Sequence, residues 1–447
     1  MTYTKIYFLL SCIFIQYLFS QDTTKIVSHN FPDSTYHVSA IYFQGNETTK
    51  EYVIEREMSL KKKSLITHEA ISYNINRIYS LQLFNTVNIQ VVPQDSINAE
   101  LFVIVTERWY FYPFPIVGLK DRNWSRLYYG LGIMHTNFGG RNVQVNTQFA
   151  LGYDPFVSVG YSNPLISQEY NLFFSSRIYY SKTKNRSLLS QGDDVNFDEK
   201  NFGVDATLGK RFSLFTTLSL SAEYHYLEVT DNHIGRTLSP TGIDRFISLH
   251  ANYRYDTRDL KEYPRLGTLA NFKISQNGVG FGELNYQRYS LDFRRYIPIY
   301  YNMVFLGRIM GSVVSGEKIP NYGHVYFGYS ERLRGNFSTI LEGENIVGTF
   351  AELHIPIISP RYLRFEEIPI EQFRDIRTAL YFALFADAGT TWYRNEKVGV
   401  NNFISGYGAG FHLLLSYGFV LRIEYAFNTT TKKFPNGEFI FDLGAAL

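Results

Sequence analysis

The chain has 447 residues, 17% of them aromatic, with 36 Tyr and 37 Phe, a share high for a soluble enzyme, so the rings need a structural destination. Its formal charge of +2 gives no electrostatic reason to expect nucleic acid or any strongly charged partner. The single cysteine, Cys12, lies in the leading apolar stretch, which excludes disulfides, redox dithiols and zinc fingers from the rest.

Residues 1–20 read as a secretory signal peptide, with Lys5 in a short leading region, an apolar run over 6–18 and the small Ser20 before Gln21. The run is shorter than the about 20 apolar residues of a spanning helix. Residues 9–12 spell a lipoprotein-type box, but the apolar run continues past Cys12, where a lipidated terminus turns polar. An N-terminal linker, 21–36, leads to a unit predicted over 37–108 in the order strand, helix, helix, strand, strand. Its first strand, 38–46, ends in the turn pair Gly45-Asn46. A short helix is predicted over 49–58. After Lys61, Lys62 and Lys63, Thr67 is placed to cap a second helix, with Glu69 in its first turn. Ile71, Ile75, Ile78 and Leu81 recur at helical spacing and should cover a sheet built from 87–92 and 101–106. A plain α+β spacer satisfies the same pattern.

Residues 109–447 hold sixteen strand-like segments, about 21 residues per strand and connection, which suits strands of about 10 residues. The first, 110–120, contains Pro113 and Pro115, which lack amide donors. Alternation is clean in Leu249, Ala251, Tyr253 and Tyr255 against His250, Asn252, Arg254 and Asp256, and again around Tyr289, Leu291 and Phe293. Pro264 and Gly267 predict a short turn within 256–268. Residues 313–343 read as a loop of roughly 30 residues, longer than structureless loops usually are unless they serve a function. Near the end, Phe419, Leu421, Ile423, Tyr425 and Phe427 share one face, and the last strand is predicted over 439–447. The longest later apolar run, 379–386, cannot span as a helix, so any membrane crossing is by strands. Alternation by itself fits both a membrane barrel with its apolar face outward and a soluble sandwich with that face inward.

The stretches FGYSERLRGNF at 327–337, FAELHIP at 350–356 and FADAGTTW at 385–392, together with a last strand ending at Leu447, resemble the BamA/TamA-type outer-membrane barrel superfamily, also called the bacterial surface-antigen family. The 37–108 unit, with its Gly-Asn turn, the LQLF exit at 81–84 and Val105 and Glu107 at its close, resembles a POTRA domain. The resemblance implies an all-β transmembrane barrel of sixteen antiparallel strands at 109–447 behind one periplasmic α+β POTRA domain. It also implies a loop folded back into the lumen, with Arg334 as its inward guanidinium and Gly335 turning the tip. A guanidinium so placed needs carboxylates. Asp387, on a face with Phe385 and Gly389, is the implied partner, and Glu352 is a second candidate. A weak seam between first and last strands is implied as well, involving Pro113 and Pro115 on one side and Phe439, Phe441, Leu443 and Leu447 on the other. The prolines are equally at home if they merely lie at the start of the strand. Leu447 stands where the family usually ends in an aromatic residue.

Nothing nominates an enzyme or a cofactor. There is no G-x-S-x-G elbow and no His-Glu-x-x-His. Gly406, Gly408 and Gly410 sit in an alternating strand rather than opening a helix, so they do not predict nucleotide binding. Asp193, Asp194, Asp198 and Glu199 lack EF-hand spacing and predict a solvated loop. The expectation is an outer-membrane assembly factor of a Gram-negative bacterium that receives unfolded barrel proteins on its POTRA edge and templates their strands at the seam. Its partners are then unfolded outer-membrane proteins or a secreted protein, membrane lipids, and candidate periplasmic or lipoprotein accessory factors. The alternatives are a two-partner-type translocator for a secreted protein, for which 21–36 is short of a plug helix plus linker, and a passive pore.

Overall fold

The computed structural model describes residues 36–119, 124–184, 198–230, 237–280, 284–337, 339–369, 374–415, 418–429 and 437–445. The predicted signal peptide, nearly all of the linker, Asp193, Asp194 and Leu447 lie outside the described residues. No described helix is long and apolar enough to cross a membrane.

The first unit consists of β1 (His37–Gln44), α1 (Glu51–Glu55), α2 (His68–Tyr79), β2 (Phe84–Pro93) and β3 (Asn98–Glu107). β3 is the central strand, with β1 parallel on one side and β2 antiparallel on the other. The Thr67 hydroxyl accepts the Ala70 amide at 3.1 Å and starts α2, with Glu69 in the first turn. Ile71 and Ile78 then enter one apolar cluster with Val87, Leu101 and Val103. α1 is shorter than the predicted 49–58. Lys50 gives it no side-chain cap, and past Glu55 the chain turns so that Met58 and Leu60 join the core while Glu57 reaches Arg77.

The rest of the described chain forms a sixteen-stranded antiparallel sheet that curls into a barrel. It opens with β4 (Phe111–Leu119), β5 (Leu127–Phe138), β6 (Val143–Gly152), β7 (Phe156–Ser167) and β8 (Leu172–Lys184). It continues through β9 (Asp198–Arg211), β10 (Thr216–Val229), β11 (Ile243–Asp256), β12 (Gly267–Val279), β13 (Tyr286–Pro298) and β14 (Val304–Gly316). The strands β15 (Val325–Phe327) and β16 (Leu341–Gly343) form a separate small sheet inside the excursion from β14 to β17 (Asn345–Arg364). β18 (Asp375–Trp392), β19 (Ile404–Leu414), β20 (Phe419–Asn428) and β21 (Gly437–Ala445) complete it. Strands adjacent in sequence are adjacent in the sheet, apart from β14 pairing with β17 across the excursion. The excursion starts later than the predicted 313, because the β13–β14 ladder runs on to Tyr286↔Gly316 and buries Val314.

Exposure settles the two readings of the alternation. Leu249, Tyr253, Leu291, Phe293, Phe439, Phe441 and Leu443 are all exposed on the outer surface, the last three at 59%, 60% and 57%. The intervening positions carry Glu223, Asp292, Arg308 and Glu424: Arg308 bonds Asp292, Arg308 and Glu424 also bond the lumenal loop, and Glu223 faces His250 and Tyr179 on the inner wall. An apolar exterior around a charged interior is the lipid-facing arrangement; a soluble sandwich would be inverted. Part of the aromatic content goes to this outer face, including Phe272, Phe305, Tyr407, Phe411 and Tyr425.

The POTRA-like unit sits against the barrel end that carries the short turns. Its Lys50 amide donates to Gly140 O at 2.9 Å, and Asn137 Nδ2 donates to Thr49 Oγ1 at 2.9 Å. The segment 257–266 between β11 and β12 is not the short turn that Pro264 and Gly267 predict. It folds back between the two bodies: Leu260 joins the core of the first unit, the Lys261 amide donates to Ser80 Oγ at 3.1 Å, and Tyr263 enters the barrel. Apolar burial on both sides, rather than local turn chemistry, decides its length.

Glu57 anchors the contact. Arg211 in the barrel donates to both its oxygens at 2.6 and 3.0 Å, and Arg77 adds a bond at 2.9 Å. Burial alone would push this carboxyl up; the Arg211 and Arg77 guanidinium groups outweigh it and hold it at about 2, below the ordinary 4.5. A depressed carboxylate stabilises the docked form above pH 4.5 and loses that contribution as pH falls toward 2, a difference of roughly 3 kcal/mol. Glu57→Gln is therefore expected to lower hydrogen-exchange protection, relative to intrinsic amide rates, across α2 and residues 257–266 at pH 7. Equal protection in both proteins at pH 7 would show that the anchor carries nothing.

Candidate functional site

The lumenal excursion is built on apolar contacts before any charge is placed. Phe327 and Leu333, each 1% exposed, pack with Ile346, and Met310, Phe350 and Ile404 close around them. The Phe327 ring lies so close to Gly389 that a Cβ there would meet it at 2.7 Å. Gly389 thus serves as a seat for the loop rather than as part of a charge network. Glu331 tethers one flank, accepting from Arg308 Nη1 and Nη2 at 3.0 and 2.9 Å, while Arg308 also bonds Asp292.

At the tip, Arg334 points into a set of buried carboxylates. Its Nε and Nη2 donate to the two oxygens of Asp387 at 2.8 Å each, and its backbone amide adds a third bond to Asp387 at 3.1 Å. Nη1 donates to Glu352 Oε2 at 2.7 Å and to Glu424 Oε1 at 3.1 Å. The guanidinium carbon lies 3.8 Å from the centre of the Phe385 ring, so one face of the cation is covered by an aromatic. The paired fork on Asp387 is a geometry that only arginine supplies.

Gly335 follows with φ of +84°, and a Cβ on it would meet Phe427 O at 2.4 Å. Gly406 faces the tip from β19, where a Cβ would meet Arg334 O at 2.0 Å. Asn336 donates to Ser405 O at 3.0 Å, and the Phe337 amide donates to Glu438 Oε1 on β21 at 2.8 Å. The tip therefore spans β18, β19, β20 and β21.

The structure thus brings together Arg334, Asp387 and Glu352, with Gly335 and Gly389 shaping the path. Several participants were not singled out from sequence. Glu424 lies 90 residues beyond Arg334 and looks like any polar-face residue of β20. Gly406 belongs to a Gly-x-Gly-x-Gly set whose visible meaning was only that it does not open a helix. His354, His412 and Tyr263 form a second layer. His354 contacts Glu352 Oε1, His412 Nε2 bonds Glu424 at 3.0 Å, and Tyr263 Oη bonds His412 Nδ1 at 3.0 Å. The Tyr263 ring stacks on His354 at 4.4 Å. Glu352, His354 and His412 are the group of potential metal ligands among the described residues.

The seam residues stand apart from this network. Among the described residues no ladder joins β4 to β21. The Thr136 amide donates to Tyr110 O at 2.9 Å, in line with the Phe111↔His135 register. Alternation of an antiparallel ladder then turns Tyr112, Phe114 and Ile116 toward β5, and Phe111, Pro113, Pro115 and Val117 toward the free edge. Both prolines lack their amide on the side facing away from β5. Phe439, Phe441 and Leu443 of β21 face outward.

Comparison with known proteins follows the same lines. The chain matches the model of the Omp85 superfamily domain over residues 137–446 and that of the POTRA family, described as a surface antigen variable number repeat, over 36–108. Among solved structures it is similar to BamA from Haemophilus ducreyi lacking POTRA domains 1–3, at 18% identity and a TM-score of 0.52, covering 91% of this chain and 83% of that one. It is also similar to CdiB from Escherichia coli, at 10% identity and a TM-score of 0.53, covering 95% and 92%. CdiB from Acinetobacter baumannii aligns at 14% identity and a TM-score of 0.50, covering 91% and 73%. A barrel with an apolar exterior, a preceding POTRA domain and a superfamily match over well more than half the residues lead to one conclusion: the protein belongs to the Omp85 superfamily.

Proposed function

We propose that this protein is an outer-membrane assembly factor that accepts unfolded barrel proteins through its POTRA domain and templates their strands at the free edge of β4. Omp85 proteins insert or translocate other proteins and break no covalent bond in doing so, and their fold implies the outer membrane of a Gram-negative bacterium. The POTRA domain then lies in the periplasm, at the end with the short turns, as in outer-membrane barrels generally. The observation that carries the reading is the β4 edge, unpaired among the described residues and short of donors at Pro113 and Pro115. An open strand edge pairs readily with an incoming strand. The Arg334 lock, spanning β18 to β21, holds the opposite side of the seam in one arrangement.

The test is depletion of the protein followed by quantification of the outer-membrane and secreted proteomes. Loss of many barrel proteins is expected. Loss of one secreted protein with the barrels intact would replace this reading with the translocator, and an unchanged proteome would replace it with a passive pore.

A further inference from the structure

Arg334 is a single cation among Glu352, Asp387 and Glu424, whose side chains are 11%, 1% and 3% exposed, and among the described residues no other lysine or arginine reaches these carboxylates. Excess negative charge in a buried site calls for compensation. The groups next to it are two imidazoles. Donor atoms of Glu352, His354 and His412 all lie within 4.8 Å of one another, and all three residues are deeply buried. Glu352 divides its duties: Oε2 holds Arg334 at 2.7 Å, while Oε1 faces His354 and lies 3.6 Å from His412 Nδ1.

We propose that Glu352 Oε1, His354 and His412 form a binding site for a divalent transition-metal ion, with zinc the best match to two imidazoles and one carboxylate. The outer groups suit the role. His412 Nε2 is held by Glu424 at 3.0 Å, which orients the ring with Nδ1 toward Glu352, the arrangement in which a carboxylate positions a ligating histidine; Nδ1 bonds Tyr263 Oη at 3.0 Å, a bond that ligation replaces. His354 is 3% exposed, and its Nδ1 has no hydrogen-bond partner among the described residues, so its ring is not held by a competing network on that side. Glu223 with His225 and His250 offers a contrast. Both rings lie within 3.7 Å of that carboxylate, yet their donors do not come together as closely.

The experiment uses full-length protein in detergent micelles, stripped with a chelator, incubated with zinc chloride, desalted and assayed by mass spectrometry for metal. One zinc per chain is expected, retained in His250→Ala, absent in His412→Ala and in Glu352→Gln, and bound about 10- to 100-fold more weakly in Glu424→Gln. No zinc in the unaltered protein, undiminished zinc in His412→Ala, or its loss in His250→Ala overturns the proposal. If the ligand variants fail to fold, the zinc X-ray absorption spectrum of the unaltered protein decides. Two imidazoles with oxygen donors support the site, and fewer than two refute it. Metal content is read without any client protein, so this outcome is independent of the assembly reading.

Discussion

Arg334→Ala is expected to abolish client assembly while the barrel still folds into the membrane. The substitution removes the only cation bonded to Asp387 among the described residues and leaves Glu352, Asp387 and Glu424 facing one another without a guanidinium. Breaking a buried charge network by deleting one partner costs about 3–5 kcal/mol. That cost falls on the seating of the loop rather than on the sixteen strands, whose ladders do not depend on it. With the tip released, the contacts of Asn336 to Ser405 and of Phe337 to Glu438 are lost as well, and β18 to β21 are no longer held from within. Arg334→Lys is expected to fail almost as badly, since an ammonium cannot make the paired bonds to Asp387 while reaching Glu352 and Glu424. The measurement is rescue of a depleted strain, with heat-dependent gel mobility reporting that the variant barrel is folded. Full rescue by the alanine variant would remove the lock from the mechanism.

Tyr263→Ala is expected to have an effect of similar size from a residue outside the loop. Its segment is gripped by the POTRA domain through Leu260 and Lys261, while its ring stacks on His354 at 4.4 Å, packs at a tilt against Tyr381 at 4.6 Å, and its hydroxyl bonds His412. Truncating a buried aromatic costs about 3–5 kcal/mol, here at the junction of two bodies. Tyr263→Phe keeps the stacking and leaves one imidazole nitrogen without its partner, a cost of about 1–3 kcal/mol. If the segment transmits the POTRA domain's position to the lock, the Tyr263→Ala and Arg334→Ala losses do not add. A double-mutant cycle on assembly rate measures this, and strict additivity would mean that the two residues act separately.

The architecture was legible because its signals are periodic. Period-two alternation, repeated through the barrel segments, identifies strands whatever the tertiary context, and Thr67 with the Ile71 to Ile78 stripe identifies α2 in the same way. Alternation could not say which face meets lipid; exposure of Phe439, Phe441 and Leu443 did. The site was legible only where a motif marked it. Arg334, Glu352 and Asp387 lie in short recognisable stretches, whereas Glu424, His412 and Tyr263 reach the same point from strands and turns far away in sequence, by pairings such as Gly410↔Glu424 and His412↔Arg422. The lumenal role of 257–266 was invisible for a related reason: proline and glycine announce a turn, but burial of Leu260 and Tyr263 on two different bodies sets where it goes.

The two prolines of β4 also give its free edge a direction of exchange. The residues turned that way present every carbonyl, but only Phe111 and Val117 among 111–117 can return an amide hydrogen. A strand that settles there donates more than it receives, and its carbonyls opposite Pro113 and Pro115 stay unsatisfied in a setting without water, each at a cost of several kcal/mol. Such a guest is admitted without being kept. Under the proposed function, an edge that begins a client's sheet is then, by its own backbone chemistry, one that the client leaves as soon as its own next strand can supply the missing hydrogens.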